Sequence, residues 1–226
     1  MITRKVEFPV LNIQLFRNNR IFAFSNLAAL INYSATFAIT FMLSLYLQYA
    51  KNLQPRDAGL LLITQPAIMA ITASIAGRLS DKFDSRILSS AGMGIIVIGL
   101  ILLYNLDAET SNMFIITSLV VVGLGFGTFS SPNTNSVMSS VEKKQLGIAS
   151  ATISTMRLLG QISSMAIATM VIHVYLGEAK ITYVNLDLFL KSSKTIFLIF
   201  AVLCFIGVFA SLARGNNKVF GANGRP

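Results

Sequence analysis

Six stretches of the chain are apolar for long enough to cross a lipid bilayer, and charged residues gather between them rather than within them. They run over about 21–48, 58–76, 87–106, 113–130, 146–176 and 195–213, the fourth free to continue past Pro132. A helical span needs about 20 consecutive apolar residues, so each stretch suffices, and tilt absorbs the excess of the longest. None shows the period-two alternation that a membrane barrel requires, which leaves helices as the spanning element. The expected fold is an all-α membrane protein, six transmembrane helices forming one bundle over 21–213. Residues 1–20 read as a cytoplasmic N-terminal segment and 214–226 as a cytoplasmic tail. That tail is rich in Gly, Asn and basic residues and is expected to be disordered. The connections are short, at 51–57, 77–86, 107–112 and 139–145. The longest, 177–194, holds the mostly apolar run 186–190, too short to cross and expected as a surface helix.

Composition supports the bilayer as solvent. Of the 226 residues, 54% are hydrophobic and only 12% charged, with a mean hydropathy of +0.69; a soluble domain carries about 25% charged residues. The net charge of +9 would elsewhere raise nucleic acid as a partner. Here the basic residues flank apolar stretches, so the expected partner is the lipid bilayer and no nucleic acid. With the N-terminus inside, the inner segments hold 12 of the 18 basic residues: Arg4, Lys5, Arg17, Arg20, Arg78, Lys82, Arg86, Lys143, Lys144, Arg214, Lys218 and Arg225. The outer ones hold five, Lys51, Arg56, Lys180, Lys191 and Lys194. That bias places both termini in the cytoplasm of a multi-pass cell-membrane protein. Ile21 opens a full-length span directly after a basic, polar segment, so the first helix is expected to act as an uncleaved anchor. Cys204 is the single cysteine, inside an apolar stretch, and reads as an inert buried thiol.

Few residues offer chemistry. No metal-ligand cluster, nucleophile–base set or phosphate-binding glycine loop stands in the sequence, so no enzyme and no cofactor is expected. Arg157 is the one charge deep in a span. It lies about 11 residues into the fifth helix, roughly 16 Å from the inner end at 1.5 Å per residue. An arginine near the midplane costs about 2.5–3.5 kcal/mol, so it needs a partner or a wet cavity. It reads either as a cation lining a wet cavity, where it can contact a ligand, or as an interhelical hydrogen-bond anchor. Gln161 shares its face one turn on. Asn32, Tyr33, Ser34 and Gln65 are polar residues in other spans, suited to a cavity wall or to packing hydrogen bonds. His173, near the outer end of the fifth helix, reads as interfacial.

Small residues mark close helix contacts or hinges. Gly147-Ala151-Thr155 and Gly160-Ser164-Ala168 recur at i, i+4 in the fifth helix, and Gly123 with Gly127 forms a GxxxG pair in the fourth. Pro132 is expected to break or kink the fourth helix near the inner face, or to mark its end. All nine acidic residues fall in loops, termini or span ends. The spans therefore supply no titratable carboxylate of the kind that proton movement within a membrane generally uses.

The segment 77–86, Gly-Arg-Leu-Ser-Asp-Lys-Phe-Asp-Ser-Arg, is a tight basic turn between the second and third spans. Gly77, Leu79, Asp81, Lys82 and Arg86 resemble the loop signature of the major facilitator superfamily, which follows the second helix of each six-helix half. Asp84 stands where that signature has Gly, and Ser85 where it often has a base. Gly123-Leu-Gly-Phe-Gly127, Ser131-Pro132-Asn133, Gly147, Ala149-Ser150-Ala151, Arg157 and Leu159-Gly160 resemble the fourteen-span drug:proton antiporter branch. Phe8-Pro9-Val10-Leu11, Leu15-Phe16-Arg17-Asn18, Tyr46-Leu47-Gln48, Ala58-Gly59-Leu60 and Gln65-Pro66 fit the same branch. The resemblance covers nearly the whole chain and implies the C-terminal six-helix half of a secondary transporter. It implies export of lipophilic or cationic drug-like compounds coupled to proton entry by alternating access, with the loop signature acting in state switching. A small-molecule substrate follows, and so does a partner: the missing N-terminal half or a second copy in a homodimer. The alternative is a non-transporting membrane fragment or the assembly partner of a split transporter.

Overall fold

The computed structural model describes residues 13–179 and 181–215; the opening run 8–11 and the expected tail from 216 onward lie outside the described residues. Eight α-helices follow one another: α1 Ile13–Asn18, α2 Arg20–Tyr49, α3 Pro55–Leu62, α4 Thr64–Ser80, α5 Ser85–Tyr104, α6 Asn112–Ser139, α7 Leu146–Leu176 and α8 Leu186–Ala213. Taking α3 and α4 as one span, six helices among the described residues are long and apolar enough to cross a membrane.

Local chemistry sets the ends of these helices. Asn19, Asp84 and Ser111 cap α2, α5 and α6, each side chain accepting a bond from a backbone N–H of the first turn. Gly177 ends α7 with φ at +61°, a left-handed turn that glycine takes without Cβ strain. The division of the second span at Ile63 follows from Pro66, which has no N–H to offer the carbonyl of Leu62. Pro132 does not have that effect. α6 runs through it to Ser139 without a break, correcting the expected break or end there. The apolar run 186–190 is likewise no separate surface helix: it forms the first turns of α8, which a short 3₁₀ turn at Tyr183–Asn185 leads into.

The helices neighbour one another in the order α4, α6, α5, α8, α2, α7, with α2 also touching α6 and α7 also touching α8. The core between them is aliphatic and aromatic, including Ile39, Met42, Ile96, Leu119, Phe126 and Phe197. α1 folds back on the start of α2, where the Phe16 and Phe22 rings meet edge to face at 5.0 Å.

Glycines bring α6 against both its neighbours. A Cβ on Gly127 would lie 2.6 Å from Cβ of Thr72 and 2.8 Å from the carbonyl of Met69, and one on Gly123 2.7 Å from the carbonyl of Gln65, all on α4. On the opposite side, a Cβ on Gly125 would lie 2.8 Å from the Ile96 nitrogen of α5, and one on Gly92 2.6 Å from the Phe129 nitrogen of α6. Gly160 plays the same part between α7 and α2, 2.6 Å from the Leu30 carbonyl. Gly147 does not: it lies on the exposed side of α7, and no atom lies within 4 Å of a Cβ built there. The expected close packing at Gly147 is corrected accordingly.

Polar bonds hold the two ends. At one end Tyr46 Oη donates to the Asp107 carbonyl at 2.6 Å, and Lys194 Nζ pairs with Asp107 Oδ1 at 2.7 Å. At the other, Arg214 is 2% exposed. It donates to Ser25 Oγ at 3.3 Å, Asn133 Oδ1 at 3.1 Å and Ser89 Oγ at 3.2 Å, and so ties α8 to α2, α6 and α5. Burial lowers its pKa to about 10, which Asp84 nearby opposes, so the guanidinium stays charged at neutral pH. Arg214 therefore closes the bundle rather than opening a tail.

Two stability outcomes follow. Gly127→Ala is expected to cost about 1–3 kcal/mol through overpacking, whereas Gly147→Ala is expected to leave stability unchanged or slightly raised; thermal unfolding of the two purified variants compares them. Arg214→Met leaves Asn133 Oδ1 without its donor and is expected to cost about 1–3 kcal/mol, read the same way; a melting temperature equal to that of the parent would refute the role given to Arg214.

Candidate substrate-facing site

The turn between α4 and α5 carries the loop signature. Gly77 sits in the last turn of α4, where its missing Cβ admits Ser131 Oγ of α6; that oxygen would lie 3.0 Å from such a Cβ. Ser80 Oγ donates to the Gly77 carbonyl at 2.7 Å and accepts from Asn135 Nδ2 of α6 at 2.8 Å. The turn is thereby pinned to α6. Asp84, where the signature has glycine, supplies the cap of α5: its Oδ1 accepts from the Arg86 N–H at 2.8 Å. Its other oxygen lies 3.7 Å from Arg86 Nε. Asp81, Lys82 and Leu79 are exposed. Asp81 makes no ion pair among the described residues.

The expected cavity residues divide. Arg157 projects from α7, is exposed, and lies across α2. Its guanidinium carbon stands 4.6 Å from the centre of the Tyr33 ring, and its Nη2 donates to Tyr33 Oη at 2.9 Å. Tyr33 itself is 8% exposed. A guanidinium on the face of an aromatic ring gains electrostatic attraction without a carboxylate. Gln161 is half-buried one turn further along α7, and no hydrogen bond joins it to Arg157 among the described residues. Asn32 and Gln65 are buried, at 1% and 4% exposure. Asn32 Nδ2 has no hydrogen-bond partner among the described residues, and Gln65 lies in the α4–α6 contact at Gly123. The structure thus joins Arg157 to Tyr33 and does not gather Arg157, Gln161, Asn32 and Gln65 into one site.

Two features escaped the sequence. Tyr33 was one polar residue among several, and nothing in the chain marks it as the partner of Arg157, 124 positions away. Arg214 follows the last apolar stretch and reads as the first residue of the cytoplasmic tail. The signal that identifies it is collective: Ser25-Asn26, Ser89 and Asn133 all stand near the same end of their spans and need a donor there.

The α4 and α7 helices are the least covered. Only 11% of the most apolar window of the α3–α4 span and 17% of that of the α7 span are buried, against 44–61% for the other four. A shallow apolar groove of about 560 Å³ runs along α7, lined by Ile162, Met165, Ala166, Thr169, Met170 and His173.

The chain resembles known transport proteins over most of its length. It is 32% identical to the riboflavin transporter RibZ of Clostridioides difficile (strain 630), a match covering 90% of this chain and 44% of that protein. It is 28% identical to the multidrug transporter protein MdtP of Bacillus subtilis (strain 168), covering 71% of this chain and 29% of that one. A solved structure described in work on substrate recognition in proton-dependent oligopeptide transporters superposes with a TM-score of 0.73. It is 18% identical and covers 90% of this chain and 44% of that one, a likeness of fold. The chain spans less than half the length of each. Residues 26–222 match the model of the Major Facilitator Superfamily, and the chain belongs to that family.

Proposed function

We propose that this chain is one six-helix half of a secondary transporter, and that it works by alternating access against a second six-helix bundle. The observation that carries the reading is the exposure of Arg157 on α7. A charge about 16 Å into a span cannot face hydrocarbon without a cost of a few kcal/mol. It is relieved if α7 faces water or protein instead. α4 and α7 are also the two helices that the rest of the bundle covers least. Secondary transporters bind substrate between repeated bundles and rock one against the other, so these two helices are placed to meet the missing bundle. The occupant we favour is an N-terminal half homologous to this one, since the matched relatives exceed twice the length of this chain; a second copy of the chain is the other candidate. The cargo is a lipophilic drug-like compound exported in exchange for protons, as the likeness to a multidrug transporter suggests. Among the described residues every Asp and Glu lies in a loop, at a helix cap or in a first helical turn, so the coupling carboxylate belongs to the other bundle. Both termini lie in the cytoplasm of a cell-membrane protein, in keeping with the bias of basic residues.

Inside-out membrane vesicles test the half-transporter reading. Vesicles holding the chain with its companion half are expected to take up the neutral lipophilic probe N-phenyl-1-naphthylamine on energisation, and vesicles holding the chain alone are not; equal uptake by the chain alone would reject it. In a Cys204→Ser background, Met170→Cys on α7 is expected to cross-link to the companion, while Val202→Cys on the lipid side of α8 is not. For the exposed turn, Asp81→Asn is expected to slow uptake at least severalfold with little change in substrate affinity, and unchanged rates would remove Asp81 from state switching.

A further inference from the structure

The Arg157–Tyr33 pair offers hydrogen-bond donors and no acceptor. Arg157 has five N–H groups, and one of them is spent on Tyr33 Oη. Because that oxygen accepts from the guanidinium, its own O–H is left to donate. Among the described residues no carboxylate pairs with Arg157, and no other hydrogen bond of Arg157 or Tyr33 Oη is formed. Among the described residues the charge is met by the face of a neutral ring.

The pair is also held in place. Gly160 lies one turn from Arg157, and a Cβ there would stand 2.6 Å from the Leu30 carbonyl and 3.1 Å from the Ser34 nitrogen, which flank Tyr33 on α2. The two backbones are locked together beside the pair, so its donors are positioned before any ligand arrives. Pre-positioned donors lose little freedom on binding. Their geometry suits a planar acid, since a guanidinium meets a carboxylate through two parallel N–H bonds.

We propose that Arg157 and Tyr33 form a subsite for the acidic group of an organic anion, and that this transporter half selects negatively charged aromatic or lipophilic cargo over cationic cargo. This deepens the transport reading and rests on it. The cation completes no ion pair among the described residues, so the cargo supplies the missing negative charge: the carboxylate accepts from Arg157 N–H groups and from the Tyr33 hydroxyl. A cationic compound meets the same fixed positive charge and is repelled.

The chain contains no tryptophan, which permits a clean optical test. Tyr33→Trp keeps a ring under the guanidinium and makes it the only indole. With this chain in nanodiscs of neutral phosphatidylcholine, quenching by 1-naphthoate is compared with quenching by 1-naphthylmethylammonium, which has the same aromatic body. Naphthoate is expected to bind about tenfold more tightly, the scale of one charge-assisted contact. Arg157→Gln is expected to erase the preference and Arg157→Lys to keep most of it. The two variants should unfold at the same temperature, so a difference between them reports charge rather than folding. Unlabelled naphthoate is then competed against transport in the assembled carrier, where wild-type Tyr33 is compared with Tyr33→Phe, which should weaken inhibition. Equal binding of the two probes, no binding of either, or a preference that survives Arg157→Gln overturns the proposal. So does an assembled carrier that moves naphthylmethylammonium and ignores naphthoate, a result that assigns the guanidinium to a carboxylate of the other bundle. Charge-selective binding without flux would reject the transport reading and leave the subsite standing, whereas flux without charge selection would do the reverse.

Discussion

Helices in a bilayer gain little by hiding apolar surface from each other, because the lipid is as apolar as they are. They associate by approaching more closely than most side chains allow, and by satisfying polar groups between them. α6 is where this constraint is met most fully. Gly123 and Gly127 lie against α4, while Gly125, two residues off that row, lies on the other side against Gly92 and Ile96 of α5. One helix is thus thin on both faces, and the α4–α6–α5 layer is assembled backbone to backbone. The remaining helices attach to this layer where α8 meets α5, with Gly207 against the Met93 side chain, and where α2 meets α8. α7 then closes on α2 at Gly160.

The spans and their order were legible because hydrophobic length is a sequence property. The six stretches became six spans, with α7 at the expected 146–176. Where boundaries moved, short-range chemistry decided them. Pro132 was expected to end a helix, but a proline costs only the bond its own N–H would have made and a steric adjustment one turn back. The surrounding helix absorbs that inside a bundle. The run 186–190 was too short to span alone, yet it continues directly into the sixth stretch, and propagation of an existing helix needs no new nucleus. The GxxxG row at Gly123 and Gly127 was readable as a contact, and the row beginning at Gly147 was misleading for a simple reason. Small residues permit close approach, but a neighbour must also be there, and neighbours are set by the whole topology.

The candidate site was less legible. Arg157 stood out as a lone charge in an apolar run, and its need for a partner followed from the cost of burying it. Which partner it takes depends on the crossing of α2 and α7, information spread over residues 30–34 and 157–160. Asn32 and Gln65 show the limit of reading polar residues in spans as cavity walls. A helical residue's direction depends on its register against each neighbour, and both point into the packed bundle. The loop signature was visible residue by residue, and the one departure proved informative. Asp84 replaces a flexible glycine with a helix cap, so the turn gains a fixed start for α5 in place of conformational freedom.

Arg157 and Arg214 meet the same physical demand in opposite ways, and the contrast bears on what each can do. Arg214 is enclosed, and its bonds to α2, α5 and α6 are all made to neutral oxygens of the chain. A guanidinium held from three sides fixes four helices at one end and leaves little to offer a ligand. Arg157 is exposed, rests on one ring, and has most of its donors unspent. Exchanging their surroundings would spoil both: an exposed Arg214 would untie the bundle, and an enclosed Arg157 would have nothing to recognise. Desolvation and satisfaction therefore sort these two charges into a structural one and an available one. The available one lies on α7, among the helices the chain covers least.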